Sequence, residues 1–263
     1  MFDFGNSHGF VRETSHRYPC AVVSIPKAGT YFVAEMLKHL GWAGTEIHAS
    51  PLSFTDYRNL SLAQKRADPR SREIGFPLDF VVQALQPGQF FVGHIPFSSY
   101  NERILSRTRL IFIRRELRSA LVSYMRFLHK NNREMFDFET WRDLCDPRQR
   151  VVRFLAERGA FMVRWITRIA DWHSAPSRSE LSFETLYGDH GDDALRQMLG
   201  ALSSHLGIQH REAAFEAAKQ VQGVDTKTWS GSRTDLSTFW SGEAEQLFSD
   251  AGGRSVNQAM GYD

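Results

Sequence analysis

The chain has little cysteine, no long apolar run and almost no net charge, and each shortage narrows what it can be. Two cysteines, Cys20 and Cys145, cannot build a disulfide framework, which points to a reducing compartment, with Cys20 a small buried hydrophobe. No segment approaches the roughly 18 uncharged apolar residues of a membrane helix. The N-terminal stretch has no continuous apolar run for a signal peptide, so a soluble, cytoplasmic protein without a membrane span is expected. With 32 basic against 30 acidic residues, the net charge of +2 argues against a general binder of nucleic acid polymers or membrane surfaces; any positive site must be local. Internal repeats and low-complexity tracts are missing too. What remains, 263 residues at 42 % hydrophobic and 24 % charged, suffices for one α/β core and is short for two. A single domain over 1–263 is expected, as a monomer or homodimer.

The chain is organised around Cys20 to Leu40, CAVVSIPKAGTYFVAEMLKHL. Ala21 to Ile25 is a short β-branched run suited to a buried parallel strand. Pro26 opens a turn, Gly29 lets backbone approach a ligand, and Thr30 is the expected cap of the following helix. Phe32, Val33, Met36, Leu37 and Leu40 then recur at helical spacing. The helix N-terminus and Lys27 make Pro26 to Thr30 a candidate oxyanion cradle, although strand–loop–helix turns of this composition also occur where nothing binds. A Walker A signature is absent, because that motif carries its lysine after the second glycine and here Lys27 precedes Gly29.

Two further strands end in chemistry. Phe90 to Gly93 runs into His94-Ile95-Pro96, and in open α/β sheets the ligand crevice lies beyond the carboxyl ends of the strands. His94 thus faces the crevice of the Lys27 loop and is the leading candidate base, the alternative being a structural histidine bonded to backbone. Leu110 to Ile113 ends in Arg114-Arg115-Glu116, two cations where a Walker B strand would deliver an aspartate for Mg²⁺. Arg115 and Ser123 stand eight residues apart, a spacing that lets a strand-end arginine and a hydroxyl on the next helix close on one phosphate.

Pro26-Lys27-Ala28-Gly29-Thr30 resembles the P-K-[SA]-G-T loop of the sulfotransferases that use 3′-phosphoadenylyl sulfate (PAPS), and Gly93-His94-Ile95-Pro96 resembles their [TG]-H-x-P segment. Ile111 to Tyr124 is similar to their 3′-phosphate segment, V-R-D-P-R-D-x-x-x-S, with Glu116-Leu117 in place of Asp-Pro. That replacement leaves open whether Arg114 shares the contact. The resemblance extends loosely over about residues 20–262. It implies a three-layer α/β/α, P-loop NTPase-like fold with a central, mainly parallel sheet, and PAPS as co-substrate without a metal. It further implies that His94 deprotonates a small-molecule acceptor and that Lys27 stabilises the leaving oxygen. Pro26, Lys27, Ala28, Gly29, Thr30, Tyr31 and Phe32 would hold the 5′-phosphosulfate and pack towards adenine, and Arg115 and Ser123 the 3′-phosphate. Leu181-Ser182-Phe183, before Glu184, is similar to the family's Y-E-D-L segment, placing Phe183 at adenine. The divergent stretch 224–241 corresponds to a nucleotide-covering loop, carrying Trp229 and Arg233.

The remaining sequence organises less sharply. Residues 1–19 form an N-terminal extension; 45–76 reads as a long irregular insertion after a helix stop at Gly41 and Gly44. In it, Arg66, Arg70 and Arg72 are either a solvated face or a greeting for an anionic acceptor, and His48 reads as a polar loop residue. Residues 130–148, with Phe136, Phe138 and Trp141, are expected as a second acceptor-site loop. Helices are expected at 78–85, from Leu117, at 151–172, about 193–206 and 211–221. Two rivals remain: a kinase using the loop for ATP, and a non-catalytic nucleotide-binding module.

Overall fold

The computed structural model describes residues 18–58, 60, 61, 63, 64, 73–130, 140–176, 178–222 and 235–263. Its strands are β1 (Cys20–Ser24), β2 (Ala43–Ala49), β3 (Ser53–Asp56), β4 (Glu73–Gly75), β5 (Gln89–Gly93), β6 (Arg109–Arg114) and β7 (Arg178–Ser182). They form one sheet in the order β4-β3-β2-β5-β1-β6-β7. From β2 to β7 every neighbouring pair is parallel, and the β3 and β4 edge is antiparallel. The three central strands are apolar because they are covered on both sides: every residue of β1 and β5 is buried.

The helices are α1 (Thr30–His39), α2 (Leu78–Ala84), α3 (Ser99–Leu105), α4 (Leu117–Lys130), α5 (Pro147–Ala170), α6 (Phe183–Leu186), α7 (Gly191–Leu206), α8 (Arg211–Val221), α9 (Leu236–Phe239), α10 (Gly242–Asp250) and α11 (Gly253–Ala259). One set packs together as α1, α7 and α8, another as α4, α5, α10 and α11, and the sheet lies between in a three-layer α/β/α arrangement. Among the described residues no helix is long and apolar enough to cross a membrane. The 24-residue α5 starts with Asp146 accepting from the N–H groups of Arg148 and Gln149 and Pro147 in its first turn. It therefore begins and ends slightly earlier than its apolar stripe suggests.

Three expectations need correction. The described part of 45–76 carries strands: β2 runs into it and β3 and β4 lie in it, with Thr45, Ile47 and Ala49 buried at period two and polar residues between them masking the strand. Trp141 is no acceptor wall; it is wholly buried on a 3₁₀ turn against Phe154. Leu181-Ser182-Phe183, expected from its sequence as a short strand, is split: β7 ends at Ser182, which caps α6 by accepting from Thr185 N–H, and Phe183 begins that helix. Arg66, Arg70, Arg72, Phe136 and Phe138 lie outside the described residues.

The C-terminal helices latch onto the start of α4. Glu116 caps α4, accepting from the N–H groups of Arg118 (3.0 Å) and Ser119 (2.7 Å) and from Asn257 Nδ2 of α11 (2.9 Å). These bonds outweigh burial and hold its carboxyl below the usual range. Asn257 Oδ1 in turn accepts from Leu117 N–H at 2.8 Å. Glu116-Leu117 thus brings its own cap to α4. Glu245 of α10 gathers Arg118 (2.8 Å), Trp240 (2.9 Å) and Arg254 (2.8 Å). Arg118 foremost, against some burial, holds its carboxyl down to about 2 from 4.5.

Because the folded state depresses Glu245, its contribution is fully present above pH 4.5 and is lost as pH falls through about 2. Glu245→Gln should lower stability by roughly 1–2 kcal/mol, a fall of about 2–6 °C in Tm at neutral pH. Thermal scans in acid should show the gap between variant and parent closing below pH 4.5.

Candidate active site

The loop after β1 is built on two left-handed residues, Lys27 at φ 64° and Gly29 at φ 91°. Glycine adopts this geometry freely; a lysine there is strained and must be held. Arg115, buried just beyond β6, donates from a terminal nitrogen to the Lys27 carbonyl at 2.7 Å. At Gly29 a Cβ would come within 3.3 Å of the Phe183 ring, so the loop also needs glycine for space. Gly29, and not Thr30, is the N-cap of α1, and no side chain caps this helix. The first-turn N–H groups are left facing the loop, as an anion site requires. The Thr30 hydroxyl instead reaches Ser24 Oγ at 2.6 Å.

Lys27 is half-buried, its ammonium 4.6 Å from the centre of the Phe127 ring. Burial first, then the charges of Arg115, Arg126 and Lys130, push its pKa down from 10.5 to about 7. Three further positive groups around Lys27 make a field that a bound anion would relieve.

The two strand-end arginines divide the work. Arg114 turns to Glu180 (2.7 Å) and lies over Tyr262, 4.7 Å from the ring centre. Arg115 turns to the loop; its guanidinium carbon lies 3.8 Å from the centre of Phe183, and its Nε is buried with no hydrogen-bond partner among the described residues. A buried orphan donor of this kind fits an anionic ligand. Ser123 stands half-buried on α4. Glu184 braces the turn from below, accepting from Glu116 N–H at 2.9 Å and from the Tyr262 hydroxyl at 2.6 Å.

His94 follows β5, as the sequence leads one to expect, and its Nδ1 lies 2.8 Å from the Ser24 carbonyl oxygen. A carbonyl can only accept, so Nδ1 carries hydrogen, and in the neutral ring Nε2 is then the basic nitrogen. The Trp165 ring of α5 stands edge-on at 6.0 Å, Tyr124 of α4 lies 6.3 Å from Trp165, and Phe127 follows at 6.5 Å. A wall of three aromatics thus runs from His94 to Lys27.

The structure brings together Pro26 to Thr30, His94, Arg115 and Phe183. It puts Phe32 in the core at 1 % exposure, its ring 5.1 Å from Tyr187. Trp229 and Arg233 lie outside the described residues. His129 stands at the far end of α4, beside Trp141. His48, Tyr124, Phe127 and Trp165 were not singled out as site residues by sequence. His48 hides in a strand that reads as a loop, and Trp165 is off the phase of the α5 core stripe that the helical period reveals. A cavity of about 950 Å³ lies away from all of this, lined by Tyr18, His39, Arg109, His210 and Glu216 at the amino-terminal end of the sheet.

At the level of sequence, no protein-family model and no curated protein matches the chain. Solved structures do. The mouse sulfotransferase SULT7A1 complexed with PAP is similar over 92 % of this chain and 88 % of its own, at 11 % identity and a TM-score of 0.56. Retinol dehydratase, in complex with androsterone and the inactive cofactor PAP, is similar over 93 % and 82 %, at 12 % identity and a TM-score of 0.51. The chain has the sulfotransferase fold, a P-loop-like three-layer architecture.

Lys27 should titrate near neutrality. With lysines reductively methylated by ¹³C-formaldehyde, its NMR signal should show a midpoint of about 7. In Arg126→Gln, which removes one of the flanking charges, that midpoint should rise.

Proposed function

We propose that the protein is a PAPS-dependent sulfotransferase that sulfates a hydroxyl or amine of a small-molecule acceptor, with His94 as general base. The observation that carries this reading is the junction at Ser24. Its carbonyl orients His94 and its hydroxyl meets that of Thr30, so an imidazole and a helix start with no side-chain cap meet at one strand end. PAPS, when bound, supplies the sulfuryl group and a phosphate leaving group. Lys27 and the open N-terminus of α1 would hold its phosphosulfate; Arg115, with its orphan Nε, and Ser123 would hold the 3′-phosphate. His94 Nε2 takes the proton of the acceptor as its oxygen or nitrogen attacks. Lys27 places positive charge where the leaving oxygen develops negative charge. The wall of Phe127, Tyr124 and Trp165 favours an acceptor that carries its reactive group on an apolar body. A kinase reading is less well served, since β6 ends in Arg114, Arg115 follows it, and the Glu116 carboxylate beyond them is committed to capping α4.

Adenosine 3′,5′-bisphosphate should bind more tightly than AMP, because Arg115 and Ser123 have no partner in AMP. One charge-assisted contact is worth roughly 1.5–3 kcal/mol, or about 10- to 150-fold. Calorimetry should find most of that ratio erased in Arg115→Ala; equal constants in the parent would remove the 3′-phosphate assignment.

Turnover is tested by mass spectrometry with PAPS and a panel of phenols, alcohols and amines, reading products heavier by one sulfo group. His94→Ala should reduce it by roughly 10²- to 10⁴-fold while leaving the bisphosphate affinity nearly intact. Turnover of His94→Ala within a few-fold of the parent would make His94 a structural residue. Phosphate transfer from ATP, dependent on Mg²⁺, would replace the sulfotransferase reading with the kinase.

A further inference from the structure

A second imidazole stands beside the candidate base. His48 lies on β2, and its ring centre is 4.8 Å from that of His94 with the planes at 65°, an edge-on contact. The backbone is shaped to put it there. Gly44 pairs with Phe90 and His48 with Val92, so β2 places four steps against two of β5, a bulge centred near Glu46 at φ 57°. Bulges of this kind re-aim side chains, and a non-glycine residue in the left-handed region is strain kept for a reason. After the bulge, Ala49 pairs with Gly93, where a Cβ would collide with the Ala49 carbonyl oxygen. Glycine at 93 thus lets the two strands close up immediately before His94.

Both rings are tied from the other side. His94 Nδ1 is committed to the Ser24 carbonyl, and His48 Nδ1 lies 3.1 Å from the Tyr31 hydroxyl in the first turn of α1. Burial, followed by Tyr57 and Glu46, keeps that phenol firmly protonated. Glu46 is itself paired with Lys38 at 3.0 Å. Tyr31 from α1, Tyr57 beyond β3, and Glu46 with Lys38 are titratable groups on the His48 side; Lys27, on the loop that follows Ser24, shares the strand end with His94, and Trp165 of α5 stands edge-on to the His94 ring.

We propose that His48 is a positioning residue for His94: the two imidazoles act as one unit in which protonation of either opposes protonation of the other, keeping His94 available as a proton acceptor. Two cationic rings in edge contact repel, so the pair takes up its protons in two separated steps. The same contact, with Trp165 opposite, fixes the plane of the base. A lone base would begin to fail near pH 6.5, the ordinary histidine value of about 6.5; a base beside a second imidazole holds its lone pair to lower pH. This deepens the sulfotransferase reading and rests on it for its purpose, though not for its test.

The test is an NMR titration of ¹³C-histidine-labelled protein without nucleotide, with the two signals assigned by loss in His48→Gln and His94→Gln. In the parent, the His94 curve should be biphasic, its two steps separated by about one pH unit or more. In His48→Gln it should become a single step, displaced to higher pH than the main step of the parent. The fixed charge of His48→Lys should displace it the opposite way. Should the glutamine substitutions unfold the protein, His48→Asn and His94→Asn supply both the assignment and the comparison. A single-step parent curve that His48→Gln leaves in place overturns the proposal. Turnover at saturating PAPS then separates the two readings. If sulfotransfer occurs, the acid limb of kcat should move to higher pH in His48→Gln by the amount the NMR reads, with the KM for PAPS unchanged. If no acceptor is sulfated while the NMR coupling is present, the coupling stands and the sulfotransferase reading falls.

Discussion

The open end of the sheet depends on Ser24. It is the last residue of β1, fully buried, and both its polar groups are committed at once: the carbonyl to His94 Nδ1 at 2.8 Å and the hydroxyl to Thr30 at 2.6 Å. The first bond chooses the imidazole tautomer, and the second fixes the start of α1, whose N-terminus faces the loop. Because both groups meet one residue in the middle of a rigid sheet, the separation between the His94 ring and the Lys27 loop is set by backbone pairing. Functional groups seated on such elements hold their geometry better than groups on loops.

The loop itself is strained, and its support comes from far along the chain. Lys27 in the left-handed region is held by Arg115, Arg115 rests on Phe183, and the turn carrying Arg115 is braced by Glu184, Asn257 and Tyr262. The C-terminal helices therefore do more than cover apolar surface. Asn257 of α11 caps α4 from the opposite end of the sequence, and Tyr262 beyond it lies against Arg114.

Burial gives the site its chemical character. Removing Lys27 from water beside Arg115, Arg126 and Lys130 makes its charged form costly in the ligand-free protein, and an arriving anion reverses that cost. A preformed positive field of this sort discriminates by charge before any shape is read. The aromatic wall of Phe127, Tyr124 and Trp165 bounds the same space with low dielectric, which strengthens every charge interaction inside it.

Much of the fold and part of the site could be read directly from residue order. The loop Pro26 to Thr30 and the strand ends at His94 and Arg115 were legible because strand–loop–helix chemistry is local: period, glycine and a following helix lie within 20 residues. The helices from Leu78, Leu117, Gly191 and Arg211 were legible for the same reason, as each has a stripe and a stop. Tertiary structure decided what depends on contacts between distant segments. A bulged strand with polar alternation reads as a loop until β5 and β3 pair with it, so β2 and His48 were hidden. Which of Arg114 and Arg115 meets the loop depended on Glu180, 66 residues away from Arg114. Phe32 and Trp141 went to the core and Trp165 to the crevice, because a helical period fixes which residues share a face while only packing fixes what that face meets.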